Sequence, residues 1–133
     1  SMDAAPNVQF LPIDFVAPTA YDMVGDRLKG MWSTGCVMGP EPVIALQKAI
    51  DAGDKARMGE IMHDIHGLPN AIPDFKDLAK YNVQVEKLRC NAAGYIKAGP
   101  CRAPYQDIPD DWRAATEANG RAWAKMCESK YRC

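Results

Sequence analysis

Only two stretches of this 133-residue chain carry strand signals, and a helical stretch separates them. "VQFLPI" (Val8 to Ile13) is a short apolar run closed by proline. "MWSTGCVMG" (Met31 to Gly39) places apolar, small and β-branched residues between glycines. Between the two, "PTAYDMVGDRLKG" repeats Tyr21, Val24 and Leu28 at helical spacing and stops at Gly30. Strand, helix, strand is the unit of a parallel sheet. Two parallel strands cannot make a protected sheet alone, because both outer edges keep unpaired N–H and C=O groups and parallel sheets are covered on both faces. The pattern therefore predicts two strands of a larger sheet whose remainder lies upstream.

The rest of the chain reads as helix. A segment starting at Pro40 runs through "EPVIALQKAIDAG" to Gly53. Asp54 then caps "KARMGEIMHDIHG", in which Met58, Ile61, Met62 and Ile65 share a face. After the proline-marked loop from Leu68 to Asp74, Val85, Leu88, Ala92, Tyr95 and Ile96 stripe a longer helix that Gly99-Pro100 ends. Pro109 and two aspartates open the last helix, with Trp112, Ala115, Trp123 and Met126 along one side. The expected class is α/β but mostly helical. It forms one unit over 1–133, with final βα units at 2–53 and C-terminal helices at 54–133.

Composition removes several function classes. No apolar run is long enough to span a bilayer, so no membrane partner is expected. Sixteen basic residues face seventeen acidic ones without a basic cluster, so a phosphate-tracking nucleic-acid surface has no electrostatic support. Five cysteines (Cys36, Cys90, Cys101, Cys127 and Cys133), with no C-x-x-C pair and no signal peptide, suit reduced thiols in a cytoplasm. His63 and His66 stand three apart, but no third ligand accompanies them, and a solvated pair is the better reading than a zinc site. Ser1-Met2 reads as a residue left by tag removal followed by the start of a frame.

Four segments together carry a resemblance: "FLP" (Phe10 to Pro12), "MWSTGCVMGPEPVIAL" (Met31 to Leu46), "KYNVQVEKLRCNAAGYIKAGPCRAPY" (Lys80 to Tyr105) and "GRAWAKM" (Gly120 to Met126). They resemble the C-terminal half of the dihydrodipicolinate synthase and N-acetylneuraminate lyase superfamily. The nearest branches are the hydratase-aldolases of hydroxybenzylidenepyruvate type and the 2-keto-3-deoxy sugar acid dehydratases. The resemblance implies a (β/α)8 TIM barrel with extra C-terminal helices, whose lysine forms a Schiff base with pyruvate or another 2-keto acid. No cofactor and no metal are called for. A barrel of this kind needs ~250 residues, so the chain would supply its last two βα units and the helical extension. The Schiff-base lysine on the sixth strand, and the tyrosine on the strand before it, would both precede the chain.

The same resemblance assigns candidate contacts. Trp32, Ser33 and Thr34 end the second strand, where barrel sites lie, and would touch the substrate beyond its keto acid; the other reading of Trp32 is core filling. Asn82 would face the pocket or, read as a residue type, cap the next helix. Arg102 would satisfy carbonyls in a structural clamp that returns the chain to its last helix; binding a substrate carboxylate is the other use. Glu86 and Lys87 point apart on a helix and suit ion pairs to neighbouring helices. No catalytic residue is expected within the chain. Of its nine lysines only Lys29 borders a strand, the others falling in predicted helices. The chain is then either part of a lyase that acts with an N-terminal barrel half, or a non-catalytic protein that self-associates. In both cases it is not a monomer. Ile13 and Asp14, where polar residues are expected in some hydratase-aldolases, leave the substrate open.

Overall fold

A computed structural model describes residues 9–132, and among these the chain is mostly helical, with no strand. Its five α-helices are α1 (Ala17–Val24), α2 (Glu41–Asp51), α3 (Lys55–His66), α4 (Leu78–Ala93) and α5 (Asp110–Met126). A π-helical turn, Cys127–Tyr131, continues α5.

The two expected strands shrink to one parallel bridge, Ile13 opposite Trp32. Trp32 N–H donates to Pro12 O (3.0 Å) and Asp14 N–H to Trp32 O (2.9 Å). Neither run extends further because each curls at once into a 3₁₀ turn, Asp14–Val16 after the first and Gly35–Met38 within the second. Pro12 also has no N–H to continue a ladder. The parallel direction is as expected; Val8 lies outside the described residues.

Helix ends follow local chemistry closely. Gly53 takes a left-handed φ of 66° after α2, and the Asp54 carboxylate accepts from Arg57 N–H (2.9 Å) to open α3. Met58, Ile61 and Met62 of α3 are buried against Ala17 and Ala20 of α1 and Leu46, Ala49 and Ile50 of α2. A second cluster, Met38, Trp123, Met126 and Cys127, joins the Gly35–Met38 turn to the end of α5. Half-buried Ile65 and Tyr131 pack against both.

The α4–α5 hairpin departs from expectation in three places. First, α4 ends at Gly94 (φ 77°), not Gly99, and Tyr95 and Ile96 are exposed rather than on a buried stripe. The chain turns there because Asn91 binds the following loop, accepting from Ala98 N–H (2.8 Å) and donating to Gly99 O (2.9 Å). Second, the clamp exists but its donors sit on α4. Lys87 donates to Pro100 O (2.8 Å) and Gln84 to Asp107 O (2.9 Å), while Arg102 is exposed and is not among the donors to these carbonyls. Third, Glu86 pairs with Arg89 on its own helix (2.7 Å) instead of reaching a neighbour. The two helices touch at Gly120, where an added Cβ would lie 2.3 Å from Arg89 O. Thr116, wholly buried, fastens α5 to the loop between α3 and α4 by donating to Ala71 O (3.0 Å).

Candidate functional site

The Ile13–Trp32 bridge delivers two chain segments to one end of the molecule, and the groups there are tied by a compact set of hydrogen bonds. Asp14, only 8% exposed, accepts from Phe15 N–H on Oδ1 (2.8 Å) and from the Ser33 hydroxyl on Oδ2. Ser33 Oγ in turn accepts from Gly35 N–H (3.0 Å) and Cys36 N–H (3.2 Å). A serine hydroxyl has one proton and two lone pairs, so Ser33 is fully engaged. Trp32 on one side of it is 51% exposed and Thr34 on the other is half-buried.

The α4–α5 hairpin supports this segment from below. Gly35 packs so closely on the Trp123 ring that a Cβ would meet it at 2.5 Å, and Trp123 Nε1–H donates to Gly39 O (3.0 Å). The Cys90 thiol on α4 reaches Val37 O at 3.7 Å. Any side chain at residue 35 would push the turn off the hairpin.

Trp32, Ser33 and Thr34 thus stand together. Asn82 is exposed on α4, the helix against which the Gly35–Met38 turn packs, and no hydrogen bond among the described residues joins it to that segment. It caps no helix, because α4 begins at Leu78 with Asp77 at its N-cap. Asp14 is the buried carboxylate that reading the chain undervalued. The usable signal was an acidic residue directly after an apolar strand-like run, a position where burial needs a partner.

No lysine of the chain is buried. Lys87 is half-buried but donates to Pro100 O; the other eight are exposed, including Lys97, which the early end of α4 leaves in a loop. The hydrogen bond to Asp22 raises the Lys55 pKa, and that to Asp77 raises the Lys80 pKa. Both shifts oppose the deprotonation that amine nucleophiles need. His63 and His66 are exposed on α3, and among the described residues no group of three or more His, Cys, Asp or Glu side chains is gathered for a metal ion. A cavity of about 230 Å³ lies between α4 and the loop before α5. Of its polar liners, Gln84, Lys87 and Asn91 are already bonded to that loop's carbonyls, and Gln106 and Arg113 complete the set. No helix of the described residues is long and apolar enough to cross a membrane.

No protein-family model matches the chain. It is 37% identical, over 134 residues, to a trans-O-hydroxybenzylidenepyruvate hydratase-aldolase of Pseudomonas aeruginosa, covering 96% of the chain and 40% of that protein. It is 33% identical to the protein of the same name from Sphingobium xenophagum over 90% of the chain and 38% of the relative. A trans-2'-carboxybenzalpyruvate hydratase-aldolase of Nocardioides sp. (strain KP7) is 37% identical over 70% of the chain and 29% of that protein. A solved structure described as "PhdJ bound to substrate intermediate" superposes with a TM-score of 0.90 at 24% identity, covering 98% of this chain and 42% of that one, and so shares its fold. The chain spans about 40% of the length of the Pseudomonas relative and less of the other two. By this identity across nearly its whole length, the chain is homologous to part of the hydroxybenzylidenepyruvate hydratase-aldolases.

Proposed function

We propose that the chain is the C-terminal portion of a Schiff-base-forming, pyruvate-dependent lyase, and that the nucleophilic lysine comes from polypeptide outside residues 1–133. One observation carries this reading: the parallel Ile13–Trp32 bridge, with α1 connecting its two segments and α2 following the second. That order suits two consecutive βα units of a (β/α)8 barrel, at 2–53, with a helical extension at 54–133. In such barrels the strand ends on one face form the site. Trp32 and Thr34 would meet the part of the substrate beyond its keto acid, with Asn82 approaching from α4 and Ser33 anchoring the segment. An arylidene pyruvate, the substrate class named for the relatives, fits an exposed indole better than a small sugar acid does. The free thiols Cys36, Cys90, Cys101 and Cys127 suit a reducing cytoplasm.

Borohydride trapping tests the reading. A lysine amine and pyruvate condense with loss of water, and borohydride reduces the resulting C=N bond, leaving a covalent adduct. The 133-residue chain alone should give none. Co-expressed with the part of the Pseudomonas aeruginosa relative that it does not cover, it should support one adduct, on the partner polypeptide. Stoichiometric trapping on one lysine of the isolated chain, above all Lys29, overturns the reading.

A second reading has its own support. Phe10, Leu11, Phe15 and Trp32 are each more than half exposed around the bridge, and two copies could cover these faces for one another in a non-catalytic assembly. Sedimentation equilibrium separates the cases. A stable homo-oligomer that excludes the lysine-bearing polypeptide favours self-association.

A further inference from the structure

Asp14 has no place in the expected chemistry, yet it is among the few buried polar residues of those described. Burying a carboxylate is costly unless hydrogen bonds compensate it, and an apolar residue at this position would spare that cost. What the carboxylate does instead is local. Each oxygen has one donor, Phe15 N–H for Oδ1 and the Ser33 hydroxyl for Oδ2. Ser33 passes the constraint to the amides of Gly35 and Cys36, and the bridge bond from Asp14 N–H to Trp32 O holds the residue before Ser33. The segment from Trp32 to Cys36 is thereby fastened to Asp14 twice, by its backbone N–H at Trp32 and by its carboxylate through Ser33.

We propose that Asp14 is a positioning residue for substrate recognition: acting through Ser33, its carboxylate holds Trp32 and Thr34 in the arrangement that receives the substrate beyond its keto acid. This rests on the functional reading above. The arrangement is selective about chemistry. Asparagine at position 14 keeps the size, but an amide offers one acceptor oxygen where the carboxylate offers two. Either Phe15 N–H or the Ser33 hydroxyl then loses its acceptor. Because both Ser33 lone pairs are occupied, the hydroxyl cannot turn to accept from the new NH₂ without releasing Gly35 or Cys36.

Two measurements test the proposal. In the 133-residue chain, amide hydrogen exchange at Gly35 and Cys36 should quicken roughly tenfold or more in Asp14→Asn and in Ser33→Ala, stay near wild type in Ser33→Thr, and be unchanged along α5. Exchange rates that do not move in Asp14→Asn overturn the anchor. In the assembly with the lysine-bearing polypeptide, Asp14→Asn should raise the KM for an arylidene pyruvate about tenfold, leave kcat within about twofold and leave pyruvate trapping intact. Ser33→Thr should restore the wild-type KM seen lost in Ser33→Ala. An unchanged KM, or a fall in kcat alone, overturns the recognition role. Failure of the functional reading would show differently, as an assembled wild type that traps no pyruvate, and it would sink the substrate role of Asp14 with it.

Discussion

In the α4–α5 hairpin, the loop that joins the helices hangs its carbonyls on Gln84, Lys87 and Asn91, and both tryptophans of α5 are about 95% buried. Around the Ile13–Trp32 bridge the balance is opposite. The third tryptophan is half exposed, and Phe10, Leu11 and Phe15 are each 54% exposed beside it. The hairpin ties its connecting loop to α4 and buries both of its tryptophans, while Tyr95, Ile96 and Tyr105 of that loop stay exposed. The bridge segment satisfies its polar groups through Asp14 and Ser33 but leaves its apolar ones in water. Single exposed apolar residues are ordinary, but these four all lie within three residues of the bridged pair, and they are what a partner in the proposed assembly would cover. The polar anchor holds the segment in shape without the cover.

The comparison breaks most readily through Trp123, which belongs to the hairpin yet lies directly under Gly35. Trp123→Ala removes a buried indole and its bond to Gly39 O, and should cost about 3–5 kcal/mol. Urea unfolding should show the midpoint falling with its slope unchanged. A loss below about 1 kcal/mol would mean that the hairpin does not support the bridge end.

A smaller effect concerns how the chain closes on itself at Cys127–Tyr131. Lys130 and Tyr131 both donate to Asp64 on α3, and the Lys130 hydrogen bond, outweighing burial, lowers the Asp64 pKa from its ordinary 3.8. Burial first, and then this same carboxylate, push the Tyr131 phenol up to about 12. Since the folded-state Asp64 pKa is depressed, its contribution is present at neutral pH. It begins to fall as pH drops toward the ordinary value, and it is gone below the lowered one. Asp64→Asn should cost about 1 kcal/mol at pH 7 and flatten the acid limb of stability against pH. An unaltered acid limb would remove Asp64 from the closure.

The smallest expected effect sharpens the contrast. Trp32→Ala should change the stability of the isolated chain by less than about 0.5 kcal/mol, because half of the ring already meets water. It should nevertheless weaken assembly or turnover with the lysine-bearing polypeptide. A loss of about 2 kcal/mol in the chain alone would return Trp32 to the core and erase the difference between the two regions.

Much of this molecule is legible along the chain. The Asp54 cap, the Gly53 stop, the Met58–Ile61–Met62 face of α3 and the Pro109 start of α5 are each decided within one or two turns of helix. Local hydrogen bonds and 3.6-residue periodicity act at that range. That Trp32, Ser33 and Thr34 stand together follows from their adjacency, and their part in a site is a proposal resting on the family resemblance.

Three features were not legible from periodicity and composition. The stripe through Tyr95 and Ile96 has helical periodicity, yet Gly94 and the Asn91 bonds to Ala98 and Gly99 end α4 first, and periodicity does not tell whether an apolar face will find a partner. The strand-like runs keep a single bridge because both curl into 3₁₀ turns right after it, which strand propensity does not foretell. Asp14 and Ser33 lie nineteen positions apart. Composition and spacing determine which residues can accept a proton or fill a core, but only the folded chain brings a buried carboxylate to the one hydroxyl that completes it.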